Sequence, residues 1–292
     1  CTVGEEYIGE IGNAGRLGGE MVDDGESADP GSLVWPVSIS LDSQGNLYVS
    51  DEWLNRISMF TSDGDWLGSW GIKGKADGEF DKPSGIAFDS LGNVWVVDSL
   101  NHRVQSFSII GEFQSSFGRQ GSGDGELENP WGICIDQEDR IYVADWGNDR
   151  AQKFSSPGEF LMKYEGSISG NGTVNVGDLK GPSGVAVDSD GDVYVTDWGN
   201  HRVQIYAADG KYITALVGDA QEPSQWTQTY IEANPDIMKA RRRVDLEPEW
   251  RFRRPVAVNV DAAGRIIILE SYRHRLQIYN KLKDYEEHSL NL

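Results

Sequence analysis

A ten-residue phrase written twice limits this chain more than any other feature. "DWGNHRVQIY" runs from Asp197 to Tyr206, and "DWGNDRAQKF" runs from Asp145 to Phe154. Each belongs to a longer unit. The unit reads Pro, a short apolar run ending in Asp, a Gly turn, a second apolar run ending in an acid, a loop, then Arg and a third apolar alternation. The Pro recurs at Pro36, Pro83, Pro130, Pro182 and Pro255. The acid recurs at Asp51, Asp98, Asp145, Asp197 and Glu270, and the Arg at Arg56, Arg103, Arg150, Arg202 and Arg275. Successive prolines stand 47, 47, 52 and 73 residues apart. A fixed period of this length is the mark of one supersecondary unit repeated in an array.

Within a unit, "GIAFD", "NVWVVD" and "RVQSF" have the short apolar runs or the alternation of half-buried strands. The turns "SQGN", "SLGN" and "SDGD" carry Gly where a positive φ is needed. A fourth strand follows four times: "DWLGSWG" from Asp65, "EFQSSFG" from Glu112, "EFLMKYEG" from Glu159 and "KYITALVG" from Lys211. The 3.6-residue period of a helical solenoid is absent. Four strands per period of this size predict an all-β fold, a single β-propeller of four-stranded blades over residues 1–292.

"KPSGIAFDSLGNVWVVDSLNHRVQSF" (Lys82–Phe107) and "GPSGVAVDSDGDVYVTDWGNHRVQIY" (Gly181–Tyr206) resemble NHL repeats. The resemblance recurs five times over roughly residues 30–280. It implies a propeller usually built of six blades, whereas five units are counted here, so five blades are expected and six is the alternative. A sixth would have to lie in residues 219–253, which lack the pattern. "EYIGEIG" (Glu6–Gly12) reads as an isolated fourth strand, expected to pair with the last unit and close the ring.

The 73-residue spacing marks an insertion, Asp219–Arg254. "PSQWTQTYIEA" opens with a Pro and Ser helix-start signal, and "NPDIMKARRRV" repeats it with Asn234 as cap and Pro235 in the first turn. Blade order puts this segment on the face of the loops between second and third strands, as a helical flap over the channel mouth. Residues 239–254 carry seven basic and three acidic residues, net +4, on a chain whose remainder is −25. A basic flap can dock on an acidic body. Alternatively, Arg241, Arg242, Arg243, Arg251, Arg253 or Arg254 reach an anionic ligand, for which the guanidinium fork is suited.

The net charge of −21 argues against nucleic acid and anionic membrane surfaces as partners. No run of 18 apolar residues predicts a membrane helix. Cys134 falls in an apolar strand pattern and reads as a small core residue. Cys1 is compatible with the lipid-bearing Cys of a mature bacterial lipoprotein, an extracytoplasmic or secreted setting, and with a mere boundary.

An acid and an Arg present in all five units are expected to form structural ion pairs holding the loop between second and third strands. The alternative is a ring of carboxylates holding a hard cation such as calcium. His102, His201 and His274 share one slot, a set that raises zinc, but they begin third strands in three different blades and cannot converge on one ion. The NHL resemblance also includes a peptide-amidating lyase with zinc-binding His next to the repeated Pro. Here that slot holds Val37, Ser84, Trp131, Ser183 and Val256, which do not match it. No metal site or cofactor is therefore assigned.

The variable positions carry the functional expectation. Trp53, Trp146, Trp198 and Tyr272 follow the acid, and Trp35 and Trp131 flank the Pro. All should face one opening beneath a flap bearing Trp226 and Trp250, with Arg242, Arg251 and Arg254 as the basic candidates. An aromatic mouth suits a peptide, a glycan or another small molecule. The expected function is a ligand-binding propeller. The alternative is a hydrolase or lyase, lactonase-like, esterase-like or amidating-lyase-like, using a divalent cation in the channel. No Ser-His-Asp order, phosphate loop or paired-Cys motif is present.

Overall fold

The structure is a computed structural model that describes residues 11–14, 30–165, 178–219, 225–241, 243 and 251–281. A two-residue parallel pair, β1 (Asn13–Ala14) and β2 (Ser32–Leu33), precedes five antiparallel meanders. The first blade is β3 (Pro36–Leu41), β4 (Leu47–Asp51), β5 (Arg56–Phe60) and β6 (Trp66–Trp70). The second is β7 (Pro83–Phe88), β8 (Val94–Asp98), β9 (Arg103–Phe107) and β10 (Phe113–Phe117). The third is β11 (Ile133–Ile135), β12 (Ile141–Asp145), β13 (Arg150–Phe154) and β14 (Phe160–Tyr164). The fourth is β15 (Pro182–Val187), β16 (Val193–Asp197), β17 (Arg202–Tyr206) and β18 (Tyr212–Leu216). Helices α1 (Gln225–Ala233) and α2 (Pro235–Arg241) follow, and the fifth blade has β19 (Pro255–Val260), β20 (Arg265–Glu270) and β21 (Arg275–Asn280).

The chain is thus an all-β propeller of five blades, with four strands in each of the first four and three described strands in the last. The expected closing strand, residues 6–12, falls almost wholly outside the described residues. Its end, Ile11–Gly12, leads into the β1–β2 pair. That pair is a blade-to-blade connector. Ala14 faces Leu33, three residues before Pro36, as Lys73 faces Phe80 before Pro83 and Gln120 faces Leu127 before Pro130.

Period-two alternation gives each blade two apolar faces, and neighbouring blades bury them against each other. Tyr48 and Ile57 of the first blade meet Ile86, Val94 and Phe107 of the second. Equivalent clusters join the second to the third blade, the third to the fourth and the fourth to the fifth. Near the axis the backbones touch. Gly85 donates its N–H to the Trp131 carbonyl at 2.9 Å, and a Cβ on Gly132 would stand 2.6 Å from the Ser183 carbonyl oxygen. Glycine is required there by space.

Five blades with four packed seams leave one seam open among the described residues. On the fifth blade Leu269, Leu276 and Ile278 are exposed, at 40%, 59% and 51%, whereas Val97 and Val104 in the first two of these slots of the second blade are fully buried. On the first blade Ile39 and Leu41 are exposed, whereas Ile86 is buried. The central channel, of about 670 Å³, is walled by the five inner strands and also by Ile267, Leu269 and Leu276 of the open face.

Each blade is tied at its mouth end by a fully buried carboxylate. Asp145 accepts the Glu128 N–H at 2.7 Å, the Asn148 amide at 2.9 Å, Arg150 Nε at 2.9 Å and the Gln152 amide at 3.1 Å. Arg150 continues to the carbonyls of Ser122, Gly123 and Glu126. Asp98 and Asp197 are bound in the same way by Arg103 and Arg202, and Glu270 by Arg275 and Gln277. The first blade departs from the expected ion pair. Asp51 takes the backbone N–H groups of Val34, Trp35, Trp53 and Leu54, while Arg56 donates Nη2 to the Ser32 carbonyl. Four N–H donors already satisfy this carboxylate, and Ser58 stands where the other blades place Gln.

The opposite face has its own tie. Asp188, Asp190 and Asp192 crowd the β15–β16 turn, and Lys281, just after β21, meets all three at 2.7–2.8 Å. Burial alone would raise the Asp188 carboxyl, but hydrogen bonds from Lys281, Tyr194 and Asp192 hold it below its ordinary value.

Two outcomes are expected. Asp145→Ala strands the buried Arg150 guanidinium and lowers the unfolding free energy by about 3–5 kcal/mol, measured by urea denaturation. At the Lys281 tie, a carboxyl held below its unfolded value adds stability above about pH 4 that is lost as acid protonates it. Lys281→Met leaves three facing carboxylates, so this contribution changes sign and acid relieves it. Urea midpoints of wild type and variant from roughly pH 7 to pH 3 check the crossing.

Candidate functional site

The buried carboxylates decide where the mouth residues sit. Each accepts the N–H of the residue two before the repeated Pro: Val34, Asp81, Glu128, Lys180 and Arg253. The residue immediately before the Pro is then forced to positive φ in four blades, at Lys82, Asn129, Gly181 and Arg254. That conformation is costly before proline and for any residue with a Cβ. It is held by a second bond across the seam. The N–H groups of Lys82, Asn129, Gly181 and Arg254 go to Asn55 Oδ1, His102 Nδ1, Asp149 Oδ1 and His201 Nδ1 of the preceding blade.

This gives the histidine slot a role that sequence reasoning missed. His102 and His201 are acceptors across a seam, and His274, on the open seam, is exposed. The repeated Gln was also missed. Gln105, Gln152, Gln204 and Gln277 each reach the buried acid, and their constant place two residues after the Arg was the available signal.

Above the channel these rim loops enclose a cavity of about 400 Å³. Its wall includes Trp131, Trp146, Trp198, Leu100 and Val256, with Ser99, Ser183, Asn129, Glu52 and Lys82. Three of the six expected aromatics therefore converge. Trp131 is placed by its N–H to the Ala144 carbonyl and by its own carbonyl, which accepts from Gly85 and Ser84. Trp146 and Trp198 open single 3₁₀ turns directly after Asp145 and Asp197. Trp146 lies over Gly181, where a Cβ would come within 2.7 Å of the indole nitrogen. The hydroxyls behind the wall are spoken for: Ser84 meets Ser99, and Ser183 meets Thr196.

Trp35, Trp53 and Tyr272 are exposed and stand outside this wall. Tyr272 instead joins a second cluster beside it. The Arg254 guanidinium lies 4.3 Å from the Trp198 ring and 5.8 Å from Tyr272, and that of Arg253 lies 4.1 Å from Tyr272. Arg251 turns away, its Nη1 to the Gly218 carbonyl and its own carbonyl to Arg273 and Arg275. Arg242 and Trp250 lie outside the described residues.

The insertion leaves and returns at one point, where the Phe252 N–H meets the Val217 carbonyl at 2.9 Å. Both expected helices are present. Asn234 serves the end of α1, its amide donating to the Tyr230 carbonyl, and its carbonyl accepts the Met238 N–H at the start of α2.

Among the described residues the channel wall contains no carboxylate and no histidine. No group of three or more His, Cys, Asp or Glu is placed to hold a metal ion among the described residues. Cys134 is on the channel wall, where desolvation pushes its thiol well above the ordinary range, so it is not a thiolate nucleophile. No helix among the described residues is long and apolar enough to cross a membrane.

Comparison with known proteins matches residues 80–107, 127–154 and 179–206 to the NHL repeat. No curated protein matches the sequence. Among solved structures, a streptogramin B lyase is similar at 13% identity and TM-score 0.53, over 85% of this chain and 70% of that one. A catalytically inactive variant of virginiamycin B lyase from Staphylococcus aureus with quinupristin is similar at 14% identity and TM-score 0.53, over 86% and 71%. A chain of a nidogen/laminin complex is similar at 17% identity and TM-score 0.50, over 84% and 80%. At these identities the likeness is one of fold.

The αL glycine beneath Trp146 gives a test of the wall. Gly181→Ala adds both strain and a clash, and should cost about 1–2 kcal/mol while displacing the indole. A fall in the urea midpoint together with a changed near-ultraviolet Trp signal is the expected result.

Proposed function

We propose, from the premise that this chain belongs to the NHL-repeat β-propeller family, that it binds a small molecule with an apolar ring system in the cavity walled by Trp131, Trp146 and Trp198. The observation that carries this reading is the convergence of three indoles, Trp131 and Trp146 of the third blade and Trp198 of the fourth, on one cavity of about 400 Å³. That volume is in the range of small-molecule sites, and flat aromatic walls favour ring-bearing ligands over extended polar chains. The helical insertion, pinched at Val217 and Phe252, returns to the rim at Arg253 and Arg254. In this reading it flanks the mouth and shields a bound ligand from water.

Binding is favoured over catalysis by the chemistry of the wall. Among the described residues its titratable groups are Glu52 and Lys82, and they are bonded to each other at 2.7 Å. Neither is set apart as a free acid or base. The lyase names among the similar folds belong to those proteins, and propellers of one shape carry many functions.

The test uses a neutral bicyclic probe, 2-naphthalenemethanol, titrated calorimetrically. Wild type should bind it, and the double variant Trp146→Ala with Trp198→Ala should bind about tenfold more weakly or worse. Trp66→Ala, on the outer strand of the first blade, should leave the affinity unchanged. Equal binding by the double variant removes the cavity as the site.

A further inference from the structure

We propose that the ligand of this cavity carries a carboxylate or a similar planar oxyanion, held by Arg253 and Arg254. The inference rests on the cavity reading above and adds the charge and direction of the ligand.

Two neighbouring guanidinium groups stand at the rim, and neither meets a carboxylate within 4 Å among the described residues. Other arginines of this acidic chain do. Arg103, Arg150, Arg202 and Arg275 pair with the buried acids, and Arg140 and Arg265 pair with Asp136 and Asp261 at the opposite end. Arg56, which also lacks an acid partner, is buried and donates to the Ser32 carbonyl instead.

They are also held in place. The Arg253 N–H is fixed by Glu270 at 2.6 Å. The Arg254 N–H is fixed by His201, and its carbonyl accepts from the Ser271 N–H and hydroxyl, each at 3.2 Å. Arg254 holds a φ of +56°, a strained conformation that persists only because its surroundings impose it. Each guanidinium then lies by an aromatic ring, Arg254 by Trp198 and Arg253 by Tyr272. A ring against the flat face of a guanidinium leaves its N–H edges available to an oxyanion. Little side-chain freedom remains to be lost on binding.

Trp198 belongs to both arrangements: it walls the cavity and stacks with Arg254. A ring system in the cavity therefore places a substituent one ring-width away at the arginine edges. A carboxylate there takes two parallel N–H bonds. The long-range field of the acidic body repels anions. The site therefore selects ligands that have both the apolar body and the oxyanion, and discriminates against free inorganic anions.

The experiment compares three probes with one ring system at matched ionic strength and neutral pH: 2-naphthylacetate, 2-naphthylacetamide and 2-(2-naphthyl)ethylammonium. Wild type should bind the acetate about tenfold more tightly than the amide, the factor expected of one charge-assisted hydrogen bond, and the ammonium most weakly. Arg254→Gln and Arg253→Gln should each reduce the acetate-to-amide ratio towards one. Arg254→Lys and Arg253→Lys keep the charge but lose the fork, and should fall between. They also serve if a Gln variant does not fold. Amide or ammonium binding as tightly as acetate overturns the anion site and leaves the cavity standing. A preference for acetate that survives both Gln variants places the anion elsewhere and also overturns the inference. Failure of all three probes to bind overturns the cavity reading and this one with it.

Discussion

Everything at the mouth depends on a charge taken out of water. Asp98, Asp145, Asp197 and Glu270 are fully buried, and a buried carboxylate is tolerable only when its lone pairs are filled. The donors come from separate parts of the chain: the loop before the Pro, the loop after the second strand, and the third strand. Filling one carboxylate therefore fixes three segments at once. The repeated letters of the opening phrase are this requirement. Asp145, Asn148, Arg150 and Gln152 are one hydrogen-bonded unit, spelled out along eight residues.

The rim inherits its geometry from that unit. The N–H two residues before the Pro is committed to the acid, and in four blades the next residue turns through positive φ and is held across the seam. In four blades the backbone of this position is constant and its side chain is not: Lys82, Asn129, Gly181 and Arg254. Gly181 makes room for Trp146, while Arg254 supplies a cation beside Trp198. A fixed frame with variable residues at one point per blade is how a repeat fold acquires a site without altering its folding.

The fold was legible because strand period, Pro, acid and Arg all report interactions within a blade. So were the helices α1 and α2, whose start signals are local. What escaped were the repeated Gln and the contacts between blades. The pattern gives no distance between Asn129 and His102, so the histidines read as strand ends although they accept bonds across seams. Arg56 shared the letter of the other arginines but not their surroundings, since the first blade lacks the Gln and supplies extra backbone donors to Asp51. Of the aromatics, Trp131, Trp146 and Trp198 converge and Trp35, Trp53 and Tyr272 do not, although Glu52, next to Trp53, lines the same cavity. The sequence places each in a loop and says nothing of azimuth.

The open seam has a mechanical consequence. Among the described residues four packed interfaces join the five sheets in series. Small tilts at successive interfaces add instead of cancelling, and their sum appears as the width of the gap between Leu276 and Ile39.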